Sequence, residues 1–324
     1  MTSLWRDVQR KNFTSLEKLS SFLEWDPILL QETSHINSFP LNLPLRLAEK
    51  VAKNTLDDPI LKQFLSLKKE LLPTQGFAQD PVQDVSFRKE AKLIQKYKGR
   101  ALLIVSSACA MHCRYCFRKN FPYETENKGF AKELELIRKD TSLKEIILSG
   151  GDPLSLSNKD LTELLKDLNA INHIQRIRFH TRFPIGIPER IDKELLQAFA
   201  ESSKQIFFVI HTNHPKELDE YLFSYLRKIQ CLGIPILNQT VLLKGINDSL
   251  KILQTLFEML VDHGVLPYYL HQLDQVQGAA HFEVKEEEGK ALMRQLSSEL
   301  SGYALPKYAK EQPGKSSKTL VSFF

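Results

Sequence analysis

From about residue 100 onward the chain alternates between two hydrophobic periods. Short β-branched or aromatic runs recur at LLIV (102–105), EIIL (145–148), RIRFH (176–180), QIFFVI (205–210), ILNQTVLL (236–243) and LPYYLH (266–271). Between them lie KELELIRK, NKDLTELLKDL, DKELLQAF, ELDEYLFSYLRKI and LKILQTLFEML, each with apolar residues at helical spacing. After a longer first interval the runs repeat every thirty residues or so, roughly the length of a strand, a covering helix and two turns. This predicts an α/β protein with a parallel sheet, because a strand returns parallel only through a crossover such as a helix. Six units fit a partial (β/α)6 TIM-like barrel, and an open doubly wound sheet has the same local pattern. In both, functional side chains stand just past the C-terminal ends of the strands.

The first 90 residues lack this rhythm. Thr14 and Glu17 make a capping box before a Leu-rich run, and Asp58-Pro59 reads as an N-cap followed by an N1 proline, so an N-terminal helical extension is predicted. The stretch from Thr74 to Asp84, around Gly76 and Pro81, reads as a linker. The expected division is 1–90 for the helical region and linker, 91–282 for the barrel core, and 283–324 for a C-terminal helix and short final segment.

Composition narrows the function classes. With 324 residues, 42% of them apolar, the chain can bury a large core without staples. Its 44 basic and 39 acidic residues are interspersed and leave a net charge of +5, which argues against direct nucleic-acid binding. The opening MTSLWRDVQRKNFTSL has no apolar core of a signal peptide, and no window is long and apolar enough for a membrane span, so a cytoplasmic protein is expected. Only four cysteines occur, three of them within eight residues and Cys231 alone. Such a cluster points to metal or redox chemistry rather than to disulfides.

That cluster follows the first barrel strand as SACAMHCRYCFRK, a C-x3-C-x2-C pattern of Cys109, Cys113 and Cys116. Three thiolates suit a 4Fe-4S cluster with one iron left open to an exogenous ligand. The competing readings are a zinc site completed by His112, or three buried thiols. Zinc sites usually pair C-x2-C motifs, and a second pair is missing here. One unit later comes Ser149-Gly150-Gly151-Asp152-Pro153, where glycines let the backbone approach a ligand and Asp152 offers an acceptor for an ammonium. Together the two motifs resemble the radical S-adenosylmethionine (SAM) superfamily, with Tyr115 as the aromatic residue before the last cysteine. The resemblance implies that the cysteines hold the cluster and that the SGGD stretch contacts SAM.

Nearly the whole chain also resembles the lysine 2,3-aminomutase family, through CRYCFRKNFPY, LSGGDPL, HTNHPKE, LNQTVLLKGIND, PYYLHQLDQVQGAAHF, SGYALPK and PGKSSKTL. In detail it is most similar to the branch that makes (R)-β-lysine for post-translational β-lysylation of elongation factor P. The family implies an isomerase that pairs the radical with pyridoxal 5'-phosphate, held by a lysine at the place of Lys318. Small neighbours such as Gly314, Ser316 and Ser317 leave room there. Tyr97 and Arg100 match positions near the cofactor phosphate, and His211 and Gln239 match positions near SAM. A lysine substrate needs a cation for its carboxylate and acids for its ε-ammonium. Arg118 matches the family's cation, and Asp274 and Glu311 match its two acids, with glutamate at 311 where aspartate is usual.

The longer family members carry structural zinc, beginning at a cysteine where this chain has Ser249, and their final cysteine cluster has no counterpart before Phe324, so zinc is not expected. The resemblance further implies a flavodoxin- or ferredoxin-like electron donor and a ligase that passes the product to elongation factor P. Three alternatives stay open: a 2,3-aminomutase for another amino acid such as arginine, a zinc-binding protein without catalysis, and a radical SAM protein that binds no pyridoxal phosphate.

Overall fold

The computed structural model describes residues 4–34, 39–126 and 129–324. The chain opens with three short helices, α1 (Leu4–Gln9), α2 (Leu16–Phe22) and α3 (Leu45–Ala48). The cap of α2 is Ser15, which accepts from the Lys18 N–H and donates to Glu17, so the expected Thr14 cap is off by one residue. Asp58 does cap its turn, accepting from the Ile60 and Leu61 N–H groups.

Among the described residues, ten strands then form one sheet in chain order. They are β1 (Arg88–Glu90), β2 (Leu93–Tyr97), β3 (Arg100–Ser106), β4 (Glu145–Gly150), β5 (Arg176–Thr181), β6 (Gln205–His211), β7 (Ile236–Val241), β8 (Val265–His271), β9 (Lys307–Lys310) and β10 (Thr319–Leu320). β3 through β9 are parallel, and antiparallel pairs close each side, β1–β2–β3 at one end and β9–β10 at the other. The crossovers contain α4 (Ala131–Lys139), α5 (Asn158–Asn169), the single turn α6 (Phe183–Gly186), α7 (Lys193–Ala200), α8 (Glu220–Gln230), α9 (Leu250–Asp262) and α10 (Glu286–Glu299). All six expected strands, β3 to β8, are present, and the fold is the partial (β/α)6 barrel with an N-terminal helical extension. β9 adds a seventh parallel strand.

The alternation of strand side chains decides what lies where. On one face Ile146, Leu148, Ile177, Phe179, Ile206 and Phe208 are fully buried in the apolar core, which also takes in Leu161, Leu195 and Leu222 of the covering helices. The opposite face carries Ser149, Arg178, His180, Gln239 and His271, so the inner surface of the barrel is polar.

The N-terminal region is packed into this body. Trp5 meets Phe183 edge-on at 5.4 Å, and one apolar core runs continuously from Trp5 to Val321. The stretch read as a linker also folds back onto the barrel. The Ala78 N–H donates to the Gln275 carbonyl, the Gln277 N–H donates to the Ala78 carbonyl, and Val82 and Asp84 are buried. Its low apolar content reflects a loop that packs through backbone and charge.

Candidate active site

The loop after β3 carries the three cysteines. It is fixed from below by the N-terminal region: Asn12 Nδ2 donates to the Ala110 carbonyl at 2.7 Å, and the His112 N–H donates to Asn42 O. Buried Arg114 forks onto Glu70, with Nη2 to Oε2 at 2.7 Å. His112 is stacked on Phe39, with Nδ1 2.8 Å from the Pro40 carbonyl. Among the described residues, no three His, Cys, Asp or Glu side chains converge closely enough for a single metal ion. Thiols spread along one loop suit a cluster, where each takes a different iron. Burial holds the Cys109 and Cys116 thiols up, Cys116 at about 11, and coordination to iron would deprotonate them.

The glycines of the SGGD motif let β4's end touch that loop. An added Cβ at Gly151 would lie 2.4 Å from the Ala108 carbonyl oxygen, and one at Gly150 2.5 Å from Ser106 O, with Gly150 at φ +124°. Asp152 departs from its expected use. Its carboxylate accepts from Leu154 N (3.0 Å), Thr181 Oγ1 (2.7 Å), Arg182 N (2.7 Å) and Phe183 N (3.0 Å), which ties the β4 and β5 loops together. Those four donors use up its acceptor capacity. Burial lifts its pKa to about 6 despite them.

On the inner wall, His211 of β6 and Gln239 of β7 are register partners. His211 Nε2 contacts Asn213 Oδ1 at 3.2 Å, and burial lowers its pKa to about 3, so it is neutral. Gln239 sits between two further histidines, with Nε2 3.2 Å from His180 Nδ1 and Oε1 3.0 Å from His271 Nε2. His180 and His271 are also kept neutral by burial. Two buried groups on the inner face of β5, Arg178 Nε and His180 Nε2, have no hydrogen-bond partner among the described residues.

The remaining candidates form a ladder of charges across the barrel mouth. Arg118 donates to Ser149 Oγ at 3.2 Å and to Asp84 Oδ2 at 2.7 Å. Asp84 also takes the Lys96 ammonium at 2.7 Å, and Lys96 lies 3.8 Å from Glu311. Glu311 accepts from Tyr97 Oη at 2.5 Å and from Lys318 Nζ at 2.8 Å, and Arg100 stacks on the Tyr97 ring at 4.6 Å. Burial alone would lift the Glu311 carboxyl, but Lys318, Tyr97 and Lys96 hold it below its ordinary range. Asp274 feels the charges of Lys318, Glu311, Lys96 and Asp84 without a hydrogen bond to any of them. Burial pushes its pKa up to about 6.

Thus Arg118, Asp274, Glu311, Lys318, Tyr97 and Arg100 are gathered together with Ser149, and His211 and Gln239 line the adjoining wall. Sequence reading missed Asp84, Lys96, Arg182, His180 and His271. The two histidines and Arg182 could have been found at strand C-terminal ends. Nothing in the sequence around Asp84 signals burial.

The radical SAM superfamily profile matches residues 103–256, which contain the cysteine loop and the SGGD turn. The chain is 43% identical over 295 residues to "L-lysine 2,3-aminomutase" of Escherichia coli (strain K12), covering 90% of this chain and 86% of that protein. The chain belongs to the lysine 2,3-aminomutase family. Within that family it is also 40% identical to the Haemophilus influenzae protein of the same name over 88% of this chain and 85% of that one. Identity to the Clostridium subterminale aminomutase is 28% over 98% of this chain and 77% of that protein. A radical SAM methyltransferase from Sphaerobacter thermophilus shares the fold, with a TM-score of 0.50 at 17% identity over 67% of this chain and 68% of that one. A lysine 2,3-aminomutase of the radical SAM superfamily implies a 4Fe-4S cluster and SAM, and the three-thiol loop beside the glycine turn fits both.

Proposed function

We propose that this enzyme converts L-α-lysine to (R)-β-lysine with a 4Fe-4S cluster, SAM and pyridoxal 5'-phosphate, and that the product serves β-lysylation of elongation factor P. The observation that carries the reading is the charge ladder. It sets one cation, Arg118, next to the cluster loop and two acids, Asp274 and Glu311, next to Lys318.

When bound, the cluster and SAM supply a carbon radical that takes a substrate hydrogen atom, and pyridoxal phosphate supplies the carbonyl that carries the migrating amine. Cys109, Cys113 and Cys116 hold the irons. Backbone groups of Ser149, Gly150 and Gly151 face SAM, with Asp152 as a positioning residue, and His211 and Gln239 complete that wall. Lys318 holds pyridoxal phosphate covalently. Arg178 and His180, which carry unpartnered buried donors, and Arg100 beside Tyr97 suit its phosphate.

Arg118 takes the substrate carboxylate, oriented by Asp84. Asp274 and Glu311 take the ε-ammonium. The Lys318 ammonium donates to Glu311 at 2.8 Å, so a lysine engaged covalently elsewhere would leave that acid to the substrate. The neutral histidines of the wall neither add charge nor offer acidic protons near a radical.

The elongation factor P assignment draws on the segment resemblance and on the higher identity to the Escherichia coli and Haemophilus influenzae proteins than to the clostridial one. A one-electron donor such as flavodoxin or ferredoxin is the matching reductant. Anaerobic incubation of the reconstituted protein with lysine, SAM, pyridoxal phosphate and dithionite, followed by chiral chromatography, should yield (R)-β-lysine. Adding elongation factor P and its lysine ligase should then attach that product. A protein with four irons and bound pyridoxal phosphate that leaves lysine unchanged overturns the proposal.

A further inference from the structure

We infer that Arg182 sets the reduction potential of the iron–sulfur centre by donating a hydrogen bond to the sulfur of Cys113. The inference rests on the cluster assignment and adds a tuning residue that lies outside the cysteine motif.

Arg182 is the first residue past β5, and its backbone N–H is pinned by Asp152 Oδ2 at 2.7 Å. From there the guanidinium reaches beneath the cysteine loop. Nη1 lies 2.8 Å from Cys113 Sγ and also contacts Tyr115 Oη, while Nη2 donates to Gln63 Oε1 and Glu217 Oε2, both at 2.7 Å. The Phe64 and Tyr115 rings flank it at 5.0 and 5.6 Å. Its counter-ion is held as firmly. Glu217, 0% exposed, accepts from Gln63 Nε2 at 3.1 Å, from the Asn213 N–H at 3.1 Å and from the His214 N–H at 3.0 Å.

Burying an arginine–glutamate pair is a poor way to gain stability, since desolvation costs several kcal/mol per ion and an apolar pair of similar volume often does better. What the pair does achieve is an orientation. Glu217, Gln63 and Tyr115 lock the guanidinium so that one N–H fork ends on a cluster ligand. Hydrogen bonds to cluster sulfurs and nearby charge are levers on reduction potential. The sign follows from charge. Reduction adds one electron to the cluster, and a buried N–H donor and cation favour the more negative state, so Arg182 raises the potential and eases electron entry. Removing Glu217's charge while keeping Arg182 should raise it further.

The test is an EPR-monitored redox titration of the reconstituted protein under dithionite, with iron and sulfide analysis of each sample. Arg182→Met should make reduction about tenfold less favourable, a midpoint about 59 mV more negative for this one-electron couple. Glu217→Gln should shift it in the positive direction. A fully loaded Arg182→Met variant with the wild-type midpoint overturns the inference. Should that variant load fewer than four irons, Glu217→Gln decides, and an unchanged or more negative midpoint is the overturning result. Failure of the wild-type protein to assemble four irons would instead sink the cluster assignment, so the two failures are distinguishable.

Discussion

The Lys318 ammonium lies 2.8 Å from Glu311 Oε2, and the two residues face each other across the loop that joins β9 to β10. In that register both side chains point to the inner face of the sheet, since Thr319 pairs with Lys310 and the alternate positions turn inward. The Lys318 ammonium and one proposed substrate acid therefore neutralise each other.

Lys318→Ala tests the covalent role. The expected outcome is loss of turnover by more than about a thousandfold, as for removal of a covalent group acting with its partners. Borohydride reduction of the wild type with pyridoxal phosphate should label the C-terminal peptide and should not label the variant, while iron content stays unchanged. Label on a different peptide would remove Lys318 from the site.

Asp274 predicts an acid limb. With its pKa raised from 3.8 to about 6 by burial, it loses its charge as pH falls through about 6, so KM for lysine should rise below that point. Asp274→Asn should raise KM at least tenfold, about 1.4 kcal/mol, and abolish the limb. Stability moves the other way. A carboxyl whose folded pKa is raised contributes stability while protonated, and that contribution is lost as pH rises through about 6. The asparagine variant should therefore be more stable than wild type at pH 7.5, by about 1–2 kcal/mol once water in the cleft is allowed for, measured as a higher Tm.

Gly151→Ala should damage the cysteine loop from a distance in sequence. Its added Cβ would meet the Ala108 carbonyl oxygen at 2.4 Å and the Ser107 backbone at 2.8 Å, neither of which can rotate away. Expected are a loss of about 2 kcal/mol or more in thermal unfolding of the apo-protein and fewer than four irons after reconstitution. Gly302→Ala, whose Cβ would meet nothing within 4 Å, is the control and should change stability by less than about 0.5 kcal/mol.

How much of this was legible depends on where each signal is encoded. β3 to β8 were readable because each carries a run of apolar residues bounded by helical periods. β9 (KYAK) and β10 (TL) are too short and too polar to stand out, which hid the seventh parallel strand. Thr14 and Ser15 both precede the Leu-rich run with a hydroxyl, and only backbone geometry selects Ser15 as the cap. The cysteines and Gly150-Gly151 were legible because their chemistry needs those residues in sequence. Asp152 shows the limit of that logic. An acid in the right motif says nothing of how many donors already occupy it, and here three backbone N–H groups and the Thr181 hydroxyl do. Arg182 and Glu217 meet only through folding, 35 residues apart.

Asp84 carries the last prediction, because its importance is invisible without the fold. It is 2% exposed and holds both Arg118, at 2.7 Å, and Lys96, at 2.7 Å. Burial works against its charge, yet Arg118 and Lys96 keep its pKa below the ordinary value of 3.8, so its stabilising contribution is intact at neutral pH and is lost only as pH falls below that value. Asp84→Asn leaves buried Arg118 and the largely covered Lys96 without their shared anion, a change that typically costs about 3–5 kcal/mol for a buried pair and should show as a clear drop in Tm at pH 7. A purely structural Asp84 would stop there. If it also orients Arg118 toward the substrate carboxylate, KM for lysine should rise about tenfold or more, with kcat changed much less, as expected when a binding contact made equally in ground and transition states is weakened. A lower Tm with an unchanged KM would show that Arg118 holds its position without Asp84, and would return that residue to a role in packing alone.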